Sequence, residues 1–450
     1  MKYIPTFIGV LTLYSLTWHL PFFGFEYEDA FINSFIANQS NFLDYYNYFR
    51  TLGCDFYSNG NCLKYSSFSG HYGSYSLFLK IFNFLFNPKY YQLHIIANGS
   101  ILFISLIYFQ NIYTNKKNTW LILSSLFASL PFIYVFNSSL IETLSFSIGL
   151  LFFTTLYDNH KTPLNYKVII LITLTLILSL LKRENLIYYS FIPIYLNLIN
   201  IKNFKIAFTF LLSIVLIVLL NPFYTEFIET AQLNKHTFSF DYLTKQLPVY
   251  LFSFFNIEGY ITITCLLFLV KRHSKLSLYI LLISILFLFL YSFHYRSQFI
   301  VNGEKMILFD TYRYMTNIIP LLIGVFIFSK TIRTNKYFIN TFFIASVILF
   351  LYNQYVFNSF VNEECFNYHH VNKVIENHLN PNDEAIIYDD CPIISIMYFQ
   401  KHKNIKIINS EMFSKIENKK IFVIKRYGQS FQEENYKKEK VGNNCNLYYN

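Results

Sequence analysis

Just past the first apolar stretch of this 450-residue chain, Glu26-Tyr27-Glu28-Asp29-Ala30-Phe31 sets three carboxylates close together. Adjacent carboxylates at a dry boundary repel one another, which raises one pKa toward the range of a general base. The same oxygens can hold a divalent cation such as magnesium or manganese, with Glu28 and Asp29 as its ligands. A solvated acidic cluster at a helix exit is the other reading, and on these residues alone both stay open.

The elements that must position those acids are membrane helices. Only 14% of the residues are charged and 54% are hydrophobic, which a single soluble domain does not match. The 21% aromatic content follows the abundance of Phe, Tyr, Asn, Ile and Lys that AT-rich codons produce, and marks no aromatic binding box. A spanning helix needs about 20 apolar residues. Runs of this kind give about eleven spans, at 3–20, 90–113, 119–136, 138–157, 167–181, 185–200, 204–221, 248–270, 276–293, 315–330 and 337–357.

With the N-terminus inside, alternate connections carry Lys116 and Lys117; Lys161 and Lys167; Lys202 and Lys205; Lys271, Arg272 and Lys275; Lys330, Arg333 and Lys336. Their one acid is Asp158. This is the positive-inside pattern. It also accounts for the net charge of +10 without nucleic acid, because the basic residues are dispersed over short loops. The segment 3–20 is expected to be a retained first helix, since no small-residue cleavage site follows it.

The chain thus reads as an all-α polytopic membrane protein, residues 1–357, followed by a small C-terminal extracytoplasmic α/β domain, residues 358–450. In that tail, apolar runs at 385–388, 405–408 and 421–424 predict strands, with helices over 369–379, 392–402 and 411–418. Within the first outer loop, 21–89, the stretch 74–87 is apolar but too short to span and predicts an interfacial helix. Five of six cysteines (Cys54, Cys62, Cys365, Cys391 and Cys445) fall on the outer side, where disulfides persist. The spacing of Cys54 and Cys62 makes them a candidate pair.

Lys182, Arg183, Arg296 and Arg313 sit at outer boundaries, against the charge rule. An anionic phosphate gives such residues a reason to be there, and Arg presents a planar fork that matches it. Ion pairs are the alternative: Arg183 with Glu184 or Glu142, and Arg313 with Asp310.

The order of these features resembles the GT-C superfamily, polytopic glycosyltransferases that use lipid-phosphate-linked sugars. It includes protein O-mannosyltransferases, lipid A aminoarabinose transferases and mycobacterial arabinosyltransferases. Glu28-Asp29-Ala30-Phe31 is similar to the family's acidic pair followed by Ala and an aromatic, which lies in the first outer loop. His71, in Ser69-Gly70-His71-Tyr72-Gly73-Ser74, occupies a place similar to a family His or Lys, although the prolines that follow it there are missing. Glu142 opens the fourth helix, Leu181-Lys182-Arg183-Glu184-Asn185 is similar to a basic turn, and Asp310-Thr311-Tyr312-Arg313-Tyr314 leading to Pro320-Leu321-Leu322 resembles an Arg-Tyr…Pro-Leu-Leu segment. The family's Arg-Tyr after the first motif is replaced here by Asn33-Ser34-Phe35-Ile36.

The resemblance implies Glu28 and Asp29 as catalytic residues, with Lys182, Arg183, Arg296, Arg313, His71 and Glu142 binding substrate or its phosphate. It implies a polyprenyl-phosphate-linked sugar as donor and an envelope glycan, lipid or protein as acceptor, at the outer face of the inner membrane. A polysaccharide polymerase or ligase of the O-antigen type is an alternative, as is a lipid-linked sugar flippase. Against transport, the spans hold few central charges and show no repeated halves.

Overall fold

The computed structural model describes residues 3–15, 37, 74–86, 93–113, 116–137, 141–158, 164–198, 208, 212–215, 239–256, 260–293, 314–332 and 334–363. It also describes residues 368–450 apart from 381–382, 390–394, 396–397, 400–403, 411–412, 415–418, 426–430, 434 and 443–444. The described chain is mostly helical, with several apolar helices and one C-terminal sheet. It divides into two compact units, one of residues 1–14, 98–136 and 140–354, the other of residues 15–97, 137–139 and 355–450.

The first unit is built from α1 (Ile4–Ser15), the greater part of α3 (Leu93–Ile112), and a run of later helices. The latter are α4 (Lys116–Ala128), α5 (Leu130–Phe136), α6 (Ile141–Tyr157), α7 (Leu164–Leu181), α8 (Phe191–Leu198), α9 (Phe240–Phe255), α10 (Ile261–Phe268), α11 (Lys275–Phe293), α12 (Ile319–Ile327) and the start of α13 (Lys336–Glu363). Among the described residues, Leu93–Ile112, Lys275–Phe293 and Lys336–Phe357 are each long and apolar enough to cross a membrane.

The expected spans differ from the structure at three places. The run 119–136 breaks into α4 and α5, bent by 69°. Pro131 at the start of α5 has no N–H to offer the preceding turn, and the Ser129 N–H turns back to Leu126 O at 3.1 Å. The run 185–200 is a 3-10 helix, Arg183–Ser190, continued by the short α8. The run 248–270 is two helices, α9 and α10. Most of the expected span 204–221 lies outside the described residues, as does the connection bearing Lys202 and Lys205.

Four of the five basic connections meet at one end of the helices. β1 (Val270–Arg272) pairs antiparallel with β2 (Lys330–Thr331), and the Ile332 N–H donates to Leu269 O at 2.8 Å. Asn118 Nδ2 donates to Thr331 Oγ1 at 2.8 Å. The ring of Tyr113 lies 5.4 Å from that of Tyr157, which lies 5.7 Å from Phe328. Lys167 is buried there and donates to Leu156 O at 2.8 Å and Asp158 O at 2.9 Å. It thereby satisfies carbonyls that α6 leaves open at its C-terminus, and it also reaches the Tyr195 hydroxyl at 2.7 Å.

α6 packs closely on α12 and on the 3-10 helix. A Cβ on Gly149 would stand 2.8 Å from the Tyr188 hydroxyl and 3.1 Å from Pro320 Cβ, and a Cβ on Gly324 would stand 2.9 Å from the Phe153 ring.

In the second unit, α2 (Ser74–Phe86) is a helix, as the apolar stretch 74–87 predicts. Its face at Leu77, Ile81 and Phe84 is exposed, while Tyr75, Ser76 and Leu79 are buried. The C-terminal sheet has the order β4-β3-β5-β7-β6. β3 (Ala385–Asp389) runs parallel to both β4 (Ile405–Asn409) and β5 (Lys420–Lys425). These are the three predicted strands, and the buried β3 reads as a continuous apolar run because a parallel strand is covered on both faces. Ile387, Phe422 and Leu447 pack with Val371 and Ile375 of α14 (Tyr368–His378) on one face. Ile386, Tyr388, Val423 and Tyr448 pack on the other.

A hairpin of β6 (Lys437–Gly442) and β7 (Cys445–Tyr449) completes the sheet and was not expected from the sequence. The predicted helices 392–402 and 411–418 lie largely outside the described residues. Cys445 is disulfide-bonded, and its partner lies outside them too. Lys420 Nζ lies 2.7 Å from Asp383 Oδ2, and this bond holds the Asp383 carboxyl below the usual range.

The Gly149 contacts set an expectation. Gly149→Val should lower the thermal midpoint by the equivalent of about 1–3 kcal/mol, read by thermal unfolding in detergent. An unchanged midpoint would mean that α6 and α12 can part without loss.

Candidate functional site

The opposite end of the helices carries the polar residues. α7 stops at Leu181 because Lys182 is extended (φ −147°, ψ 138°), and the chain restarts as the 3-10 helix. Asn185 fixes this break: its Nδ2 donates to Leu178 O at 3.0 Å and to Ser145 Oγ at 2.9 Å. An Asn side chain that satisfies a neighbouring carbonyl offers the backbone an alternative to continuing the helix.

The extended residue sends its ammonium inward. Lys182 Nζ lies 2.8 Å from Glu142 Oε1, and the two side chains are 7% and 0% exposed. Glu142 stands in the first turn of α6, where the positive end of the helix dipole also favours a carboxylate. The same ammonium lies 5.5 Å from the centroid of the Tyr314 ring, within the range of a cation–π contact. Tyr314 stacks obliquely against Tyr291 at 5.4 Å, and the Tyr291 hydroxyl accepts from Asn317 Nδ2 at 3.1 Å. Tyr260 OH and Thr316 Oγ1 are 3.1 Å apart, and the Ser239 N–H donates to Phe293 O at 3.2 Å. This end is separated from the basic connections by the length of α6, ~25 Å for 17 residues.

Of the residues singled out by sequence, Lys182 and Glu142 are brought into direct contact. Arg183 follows as the first residue of the 3-10 helix, and Tyr314, the neighbour of Arg313 in the chain, is drawn to Lys182. The basic turn and the Arg-Tyr segment, about 130 residues apart in sequence, therefore converge. The structure pairs Glu142 with Lys182, and the Arg183 side chain, whose pairing with Glu142 or Glu184 was the alternative, lies outside the described residues. Glu28, Asp29, His71, Arg296 and Arg313 lie outside the described residues. Sequence reasoning gave no part to Asn185, Tyr291, Tyr314 or Asn317; Asn185, Tyr314 and Asn317 lie in or beside the two matched segments, whereas Tyr291 of α11 carried no local signal. Among the described residues no group of three or more His, Cys, Asp or Glu could hold a metal ion, and Glu28 and Asp29 lie outside those residues.

Removing one partner of a buried ion pair strands the other charge at a cost of about 3–5 kcal/mol, whereas replacing both with apolar groups is often neutral. Glu142→Gln and Lys182→Met should each lower the thermal midpoint markedly, and Glu142→Leu combined with Lys182→Met should recover most of it. Thermal unfolding of the three variants checks this; a double variant worse than both singles would contradict it.

No family model matches the chain, and no curated protein matches it. Among solved structures the chain is similar to ArnT from Cupriavidus metallidurans bound to undecaprenyl phosphate, with 8% identity over 83% of this chain and 87% of that one and a TM-score of 0.49. It is also similar to ArnT from Cupriavidus metallidurans in the apo state, with 8% identity over 84% of this chain and 87% of that one and a TM-score of 0.47.

Proposed function

We propose that this chain is an integral membrane glycosyltransferase that moves a sugar from a polyprenyl-phosphate donor to an acceptor hydroxyl at the extracytoplasmic face of the inner membrane. In this reading the N-terminus is cytoplasmic and the C-terminal sheet extracytoplasmic. The observation that carries it is the meeting of the Lys182 turn with the Tyr314 segment, at the helix end away from the basic connections. A lipid phosphate lies at a membrane boundary, and two arginines carried there on separate segments are suited to hold it.

Glu142 neutralises Lys182, so the pair serves to fix the turn, and Arg183 and Arg313 take the phosphate. Arg296 follows α11 and His71 closes the first loop, where each would contact the donor's polar end. Asp29 or Glu28 accepts the proton of the acceptor hydroxyl. The acceptor oxygen bonds to the anomeric carbon, and the bond from that carbon to the phosphate oxygen breaks. The electron pair leaves with the polyprenyl phosphate, whose charge the arginines stabilise. A single displacement inverts the anomeric centre. A cation held by Glu28 and Asp29 would add positive charge beside the phosphate.

The test is turnover by the purified protein of a polyprenyl-monophosphate-linked single sugar. Asp29→Asn should reduce it by about 10²–10⁴-fold with expression unchanged. Full activity in that variant would sink the assignment of the base. Turnover of diphosphate-linked oligosaccharide alone would move the chain to the polymerases and ligases.

A further inference from the structure

The basic connections are ordinarily taken as a topology signal and nothing more. Here they are gathered into one surface. β1 and β2 form a ribbon in which Arg272 and Lys330 are cross-strand partners, a like-charge pairing that is destabilising unless an anion compensates it. Lys271 precedes Arg272 on the ribbon, Lys275 opens α11 and Lys336 opens α13. The bond from Asn118 to Thr331 ties Lys117 to the same place. All six cations are exposed. None makes an ion pair among the described residues, and the segments 113–119, 269–278 and 328–338 contain no Asp or Glu.

The same end presents exposed aromatic side chains. Phe268, the last residue of α10, is 76% exposed and Tyr337, in the first turn of α13, is 82% exposed. Tyr rings at the ends of spanning helices sit at headgroup level, and Tyr337 begins one of the helices long enough to span. Cations at that depth face lipid phosphates, each worth roughly 1 kcal/mol near an anionic surface, a factor of about five in affinity.

We infer that the β1–β2 ribbon is a binding surface for anionic phospholipid headgroups, at the end of the helices opposite the proposed transfer site. The headgroup phosphate lies between Arg272 and Lys330 and relieves their repulsion, and the flanking lysines supply further charge. The surface is independent of the donor site and would exist whatever the reaction.

The experiment is native mass spectrometry of the full-length protein released from vesicles of phosphatidylcholine mixed with phosphatidylglycerol. The wild-type protein should retain phosphatidylglycerol preferentially. Arg272→Gln combined with Lys330→Gln should weaken that retention by about twenty-five-fold, two charges at roughly fivefold each. Should that variant fail to fold, Lys271→Gln combined with Lys275→Gln leaves the cross-strand pair intact and should weaken retention to a similar extent. Inorganic phosphate should not displace the lipid. Equal retention of the two lipids, full displacement by phosphate, or retention unchanged in the variants would each overturn the inference.

Discussion

A carboxylate and an ammonium buried together among apolar helices persist only while each neutralises the other. Glu142 and Lys182 are in that position, 2.8 Å apart and almost wholly enclosed. Much else at this end is arranged around them. Lys182 reaches Glu142 only because α7 ends one residue earlier and the backbone passes through an extended residue. At that break Asn185 donates to the Leu178 carbonyl, which also accepts the Lys182 N–H, and to Ser145 on α6. The 3-10 helix that follows brings Tyr188 against Gly149, where any larger residue would collide. The pair thus fixes where the chain carries Arg183, and through Tyr314 it fixes the segment after Arg313 as well.

The two ends of the helices are chemically distinct. One holds Lys167 on the last carbonyls of α6 and gathers the exposed cations of the ribbon. The other holds the neutralised pair, a ring stack and a set of hydroxyl and amide contacts. A phosphate-bearing lipid could be served at either end, but in different ways. Exposed lysines on a ribbon suit the general run of anionic headgroups. An arginine carried on a turn that a buried pair holds in place suits one phosphate in one place, which is what the proposed transfer needs.

Much of the fold was legible in the sequence, because an apolar run of helical length has few other uses. α3, α6, α7, α11 and α13 follow their runs closely. The bend at Pro131 could have been read, since its proline interrupts the run. The 3-10 helix could not, because Leu186 and Ile187 continue the apolar stretch and conceal the break that Asn185 makes by a tertiary contact. The ribbon escapes because its strands are two and three residues long. β6 escapes because an edge strand rich in lysine lacks the alternating apolar face of a buried one. In the candidate site, sequence singled out Glu142 and Lys182 separately; their contact over 40 residues is set by the pairing of α6 with the end of α7, which no local spacing encodes.

The central claim is that the turn after α7 and the segment before α12 together hold a lipid-borne phosphate. Binding of polyprenyl phosphate to the wild-type protein, Arg183→Gln, Arg313→Gln and the double variant tests it directly, with the neutral polyprenol as control. A charge-assisted hydrogen bond contributes roughly 1.5–3 kcal/mol, about ten- to a hundred-fold in affinity. Each single variant should lose an amount in that range, and the double variant should lose less than the product because both arginines serve one phosphate. The polyprenol should bind weakly and equally to all four proteins. Polyprenyl phosphate binding that is unchanged in both single variants, or no stronger than that of polyprenol in the wild type, would contradict the account.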